Sequence, residues 1–149
     1  MNVSYDRFTE AFLAKITEYE FLKLSEEGRQ ALVDGYMKRA CASFSDVCVY
    51  NITGGNDEDR EFVFDGATKN DVEEIVDIIS DGMVTQWLRQ HLYKQENLSI
   101  TMNTADFTHY SPAELTYRIT NAYKLTRQNF INAMREYSFR HGDLTRLHI

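Results

Sequence analysis

The chain has 149 residues, 43% of them hydrophobic and 26% charged, and its 16 basic and 23 acidic side chains leave a formal net charge of −7. A chain of this length buries enough apolar surface to fold as one domain, residues 1–149, without help from a metal or a disulfide. Its acidity opposes general attraction to nucleic acid or anionic lipid, though not a geometric association with DNA.

No apolar run approaches the roughly 20 residues that cross a bilayer, and residues 1–12 lack the basic-then-apolar order of a signal peptide. The expected setting is therefore a cytoplasm or something assembled there, with no membrane partner. Cys41 and Cys48 are too few and too far apart for a CxxC pair or a zinc set, so both are expected as buried, reduced thiols. One proline and seven glycines leave little of the chain for turns, which predicts long regular elements.

Four helices follow from apolar spacing. The first, over about residues 5–19, places Tyr5, Phe8, Phe12, Ile16 and Tyr19 on one face. The second starts at Ser25, read as an N-cap before Glu26 and Glu27, and sets Leu32, Tyr36, Ala40 and Phe44 at i, i+4 spacing beside Val33 and Met37. Residues 47–52 alternate as a strand would, 53–59 form an exposed loop, and 61–64 are a candidate return strand. A hairpin and a plain acidic loop are equally compatible with that stretch.

The third helix starts near Thr68 or Asn70, with Asp71, Glu73 and Glu74 at the positive end of its dipole. Val72, Ile75, Val76, Ile79, Met83, Trp87, Leu88 and Leu92 give it the widest apolar face, so it is expected to be the most buried element. Ser111, Pro112, Ala113 and Glu114 supply an N-cap serine, a first-turn proline and a capping-box glutamate for the fourth helix. Nothing interrupts this helix before Gly142, so it covers about residues 111–141 and spans roughly 43 Å. Leu115, Ile119, Ala122, Tyr123, Phe130, Met134 and Tyr137 form its apolar stripe. Such a length predicts that part of it projects beyond the bundle or meets another chain, with residues 142–149 as a tail. The fold class is all-α: a four-helix bundle-like subunit with a long C-terminal helix and an acidic loop or small hairpin between helices two and three.

Charge is segregated along the chain. Residues 46–81 hold 11 acids against Arg60 and Lys69, whereas residues 112–149 hold 6 bases against 3 acids. An acidic middle and a basic end suit head-to-tail contact between copies or docking to charged partners, and solvated helix faces would look the same.

Catalytic patterns are missing. Gly54 and Gly55 lack the lysine and hydroxyl residue of a phosphate loop. The run 56–61 lacks the sixth-position glycine of a calcium loop. His91, His109, His141 and His148 form no close helical metal pair, and there is no GxSxG elbow. His91, beside Trp87 and Leu88, reads as a packing residue, while Asp71, Glu74, Asp77 and Asp81 read as an acidic solvent face. Tyr93, Phe107, Tyr110, Tyr137 and Phe139 fall near element ends, where aromatic rings favour protein interfaces. A staple over the Ser111 cap is the local alternative for Phe107 and Tyr110.

The order of several stretches resembles the neck, or head-to-tail connector, proteins of long-tailed bacteriophages, particularly those of Gram-positive hosts. These stretches are YEFLKL at 19–24, GYMKRACASF at 35–44, REFVF at 60–64 and EEIVDIISDGMVTQWL at 73–88. DFTHYS at 106–111, REYSF at 135–139, and then Asp143 and Leu144 complete the order. The resemblance implies a structural virion protein, present as a ring of about twelve copies, that sits beneath the portal in the neck. It would extend the DNA channel and join the capsid to head-completion, stopper or tail proteins, with no cofactor, no metal and no reaction catalysed. By position, the resemblance assigns Arg140, His141, Leu144, Arg146 and Leu147 to a portal interface. Asp57, Glu58, Asp59 and Arg60 would lie in a loop facing the channel or a neighbouring subunit. The alternative from a different class is a cytosolic helical adaptor or regulator that binds another protein.

Overall fold

The computed structural model describes residues 1–17, 28–98 and 112–141. Its elements in chain order are β1 (Asn2–Ser4), α1 (Tyr5–Ile16), α2 (Arg29–Phe44), β2 (Glu61–Val63), α3 (Lys69–Leu98) and α4 (Pro112–His141). The fold is all-α in character, a four-helix bundle-like arrangement with one short two-stranded sheet. Among the described residues no helix is long and apolar enough to cross a membrane.

Each helix start has a local chemical cause. The Ser4 hydroxyl accepts from the Asp6 amide at 3.2 Å and caps α1. Thr68 and Asp71 cap α3 reciprocally: the Thr68 amide donates to Asp71 Oδ2 at 2.9 Å, and the Asp71 amide donates to Thr68 Oγ1 at 3.1 Å. Pro112 opens α4, where its missing N–H costs nothing. The described part of α2 begins after Gly28, whose φ of 65° is the left-handed backbone that glycine adopts without strain. The expected caps Ser25 and Ser111, together with Tyr19, lie outside the described residues.

Helix α3 is the centre of the bundle and packs against α1, α2 and α4. Val72, Ile75, Val76, Ile79, Met83, Trp87 and Leu88 are buried, as the width of its apolar face predicts, and Leu92 is half-buried. Phe8 and Phe12 meet this surface from α1, and Phe12 sets its ring edge-on to Trp87 at 6.1 Å. Helix α2 contributes Val33, Tyr36, Met37, Ala40, Cys41 and Phe44. Helix α4 runs antiparallel to α3, because Glu74 meets Arg140 and His141 whereas Gly82 meets Phe130. Leu115, Ile119, Phe130 and Tyr137 are its buried side chains at the expected spacing, joined by Ser138.

The segment between α2 and α3 differs from expectation. Residues 47–52 form no strand, and β2 pairs instead with β1, antiparallel, with Asn2 opposite Val63 and Ser4 opposite Glu61. Side chains take the backbone donors that a ladder would need. The Tyr137 hydroxyl accepts from the Val49 amide at 3.3 Å, and Asn51 Oδ1 accepts from the amides of Thr53 and Gly54 at 3.1 and 3.0 Å. The segment still buries Ile52 and lays Tyr50 against Phe64, so its alternation reflects a packed loop.

Gly82 lies where α2, α3 and α4 converge. A Cβ there would stand 2.8 Å from Ala40 Cβ and 2.7 Å from the Phe130 ring, closer than carbon atoms pack. Ala40 has no rotamer with which to retreat, so relief requires α2 itself to move. We therefore expect Gly82→Ala to lower stability by about 1–3 kcal/mol, outweighing the roughly 1 kcal/mol that removal of a mid-helix glycine normally returns. Urea denaturation of the two proteins measures the difference directly.

Candidate functional site

The acidic loop before β2 is built as a closed, braced turn. Asn56 and Glu61 exchange two backbone hydrogen bonds, at 2.8 and 3.1 Å, and enclose Asp57, Glu58, Asp59 and Arg60. Inside it, Asn56 Oδ1 accepts from the amides of Glu58 and Asp59 at 3.0 and 3.3 Å, and its Nδ2 donates to Asp59 Oδ2 at 2.9 Å. Arg60 closes the turn at φ 54°, a left-handed conformation that a non-glycine residue holds only when its surroundings fix it.

Those surroundings are electrostatic. The Arg60 guanidinium grips Asp34 of α2 with two parallel bonds, Nε to Oδ2 at 3.0 Å and Nη2 to Oδ1 at 2.8 Å. A third bond, from Nη1, reaches Asp6 of α1 at 2.7 Å, and the guanidinium carbon lies 5.7 Å from the centre of the Tyr5 ring. Asp57 braces the opposite side by accepting from the Tyr5 hydroxyl at 2.9 Å and pairing with Lys38 at 3.1 Å. Lys38 and the Tyr5 hydroxyl hold the Asp57 carboxyl below the usual carboxylate range. Burial and then the same Asp57 bond push the Tyr5 phenol up to about 12.

The four loop residues expected at the channel or subunit surface thus divide into two pairs. Asp57 and Arg60 are anchors that bind the loop to α1 and α2. Glu58 and Asp59 point into solvent without a cationic partner among the described residues. Charge reversal at Asp57 would break the brace to α1 and α2, and at Asp59 it would remove the acceptor of the Asn56 amide, whereas Glu58 contributes no side-chain bond to the turn.

The carboxylates of α3 are also engaged by other elements: Asp77 keeps the exposure of a solvent face, whereas Asp71, Glu74 and Asp81 are half-buried. Asp71 caps the helix and accepts from the Tyr50 hydroxyl at 3.1 Å. Glu74 pairs with Arg140 and with His141 Nε2, the latter at 3.0 Å. Asp77 and Asp81 receive Lys15 of α1 at 2.8 and 2.7 Å. Arg140 and His141, expected at a portal interface, therefore fold back onto α3 here. Leu144, Arg146 and Leu147 lie outside the described residues.

The remaining candidates separate clearly. Tyr137 is a core residue, edge-on to Phe44 at 4.8 Å, and not an interface ring. Tyr93 and Phe139 are exposed as expected, whereas Phe107 and Tyr110 lie outside the described residues. His91 sets its ring against Trp87 at 5.1 Å, and His141 lies against Tyr137. Burial pushes the Cys41 thiol up to about 12 and also raises that of Cys48, which makes both poor nucleophiles. No group of three or more metal-ligating side chains occurs among the described residues.

Two features carry no familiar motif. The outer face of α4 presents Lys124, Arg127 and Arg135, none paired with a carboxylate among the described residues, beside exposed Tyr117, Leu125 and Phe139. A cavity between α2 and α3 is lined by Arg39, Gln86, Arg89, Gln90 and Tyr93. The spacing of the four α3 residues, i, i+3, i+4 and i+7, is the sequence signal that would have revealed a polar stripe. Comparisons with protein-family models, with curated proteins and with solved structures find no match to this chain.

Asp34 and Asp6 share one arginine but differ in shielding, with 17% and 65% of their side-chain surface exposed. Asp34→Ala is expected to cost about 2–3 kcal/mol and Asp6→Ala under about 1 kcal/mol, measured by denaturant unfolding. A second expectation concerns acid. The lowered pKa of Asp57 contributes stability above the unfolded-state value near about 4, and that contribution is lost as pH falls through the folded-state value. Asp57→Asn should therefore flatten the decline in denaturation midpoint on acidification below about pH 4 relative to the wild type.

Proposed function

We propose that the chain is the subunit of a ring-shaped structural connector, of the head-to-tail kind found in phage necks, and that it acts by contact rather than by catalysis. The observation that carries this reading is the placement of exposed charges that no ion pair among the described residues neutralises. Glu58 and Asp59 are held outward on a loop anchored to α1 and α2, while Lys124, Arg127 and Arg135 face outward from α4. Two different surfaces of opposite sign on one subunit favour a heterologous, head-to-tail contact, which generates rings when its rotation closes.

The resemblance in motif order to neck proteins supports the same reading and supplies the setting. The ring would continue the DNA channel beneath a portal and join capsid to tail. The position-based assignment of a portal contact then falls on Leu144, Arg146 and Leu147, because Arg140 and His141 are engaged by Glu74. Solvent-facing carboxylates at the loop suit either a neighbouring α4 or a channel wall that repels phosphate, so that DNA slides without adhering.

A charge swap tests the reading. Glu58→Lys with Asp59→Lys should abolish ring formation, as should Arg127→Glu with Arg135→Glu, and the four changes combined in one chain should restore it. Ring formation is scored by electron microscopy and by mass in solution, alone and with portal particles. A chain that is never found in particles, or a wild type and variants that assemble alike, would overturn the proposal. Capture of the monomer by a cytosolic protein at the same surfaces would favour an adaptor instead.

A further inference from the structure

We propose that the groove between α2 and α3 binds a phosphate group, free or borne by a small phosphate monoester. The cavity measures about 310 Å³, at the small end of the range for ligand sites, and is lined by Arg39 from α2 and by Gln86, Arg89, Gln90 and Tyr93 from α3. Each of the five side chains carries an N–H or O–H donor, and among the described residues no carboxylate lines the wall. Two guanidinium groups thus converge on a small space in a protein whose net charge is −7. Such convergence is unfavourable in isolation and becomes favourable once an anion lies between them.

The donors are held in place. The Tyr36 hydroxyl donates to Gln90 Oε1, and burial pushes that phenol up to about 12, so it keeps its proton at physiological pH. The amide oxygen of Gln90 is thereby occupied and its NH₂ group is left for a ligand. Arg89 lies 5.5 Å over the Tyr93 ring and donates to the Tyr93 hydroxyl at 3.3 Å, which orients the guanidinium without neutralising it. Arg39 stands exposed on the facing helix and has no carboxylate partner among the described residues.

Charge and direction together select phosphate over carboxylate. Two positive charges match a dianion. Donors also arrive from two helices, and a tetrahedral oxyanion presents oxygens to both, whereas a carboxylate offers one planar edge. Nothing in this assignment depends on ring formation, so it can be tested on the full chain whatever its assembly state.

The experiment titrates inorganic phosphate, and in parallel phenyl phosphate and acetate, into the full-length protein at constant ionic strength. Calorimetry gives affinity, and NMR follows the arginine Nε–H resonances as a readout that needs no mutant. Saturable binding of both phosphates should shift two arginine resonances. Arg39→Gln and Arg89→Gln should each weaken it by about tenfold or more, while Lys69→Gln at the far end of α3 should leave it unchanged. Thermal melting in chloride verifies that each variant is folded. Binding by inorganic phosphate alone would restrict the ligand to the free ion and overturn the ester. Acetate binding as tight as phosphate, unshifted arginine resonances, or undiminished binding in both arginine variants would overturn the site.

Discussion

Three helices of the bundle meet closely at a position with no side chain. Gly82 lets the backbone of α3 come within reach of Ala40 on α2 and Phe130 on α4 at the same level of the core. The inter-axial spacing of three helices is therefore set at one point, and the large side chains on either side are chosen to fit it. Toward the start of α3, Tyr137 and Phe44 fill the wider gap; toward its end, Trp87, Tyr36 and Phe12 do so. Close packing makes this spacing stiff, because a shift at Gly82 would open voids at both ends.

Charge arranges what the core leaves undecided. Apolar burial fixes which face of α3 points inward, and ionic contacts then fix how its neighbours sit along it. Lys15 brings α1 to the level of Asp77 and Asp81, Glu74 receives the end of α4, and Arg60 draws α1 and α2 together through Asp6 and Asp34. Several of these pairs are well exposed, and each alone adds little to stability. Their value is in register, since each joins a different pair of elements. The result is a bundle in which Asp57, Asp71, Glu74, Asp77 and Asp81 of the acidic middle join elements together, while Glu58, Asp59, Asp65 and Glu73 stay exposed.

The helices were legible in the sequence because their signals are local. Apolar residues at i, i+3 and i+4 marked α3 and α4, and Thr68 and Pro112 marked their starts, since both depend on neighbours within one turn. The partners of the α3 carboxylates were not legible, because Lys15 and Arg140 lie more than sixty residues from the acids they bind. For the same reason β1 went unseen: three residues carry no period, and their pairing with β2 is a property of the folded chain. The alternation over 47–52 misled because a loop pinned by Asn51 and Tyr137 buries alternate side chains much as a strand does. The acidic loop was visible as composition, but its division into anchors and presented residues required knowing where Asp34 and Tyr5 stand.

That division bears on the proposed contact between copies of the chain. If every acid of the loop were free, a neighbouring basic surface could engage it in many orientations, and the rotation between copies would be undefined. Anchoring Asp57 and Arg60 to two helices removes that freedom and leaves a short acidic edge with a fixed direction. The opposing surface is fixed as well, because α4 is a continuous 30-residue helix held to α3. In the proposed assembly a contact between two rigid, unlike surfaces repeats one rotation at every step, and the copies close into a ring where that rotation divides a full turn without a rise along the axis. In the proposed assembly the left-handed turn at Arg60 is thus more than a local irregularity: it converts a patch of negative charge into a directed one.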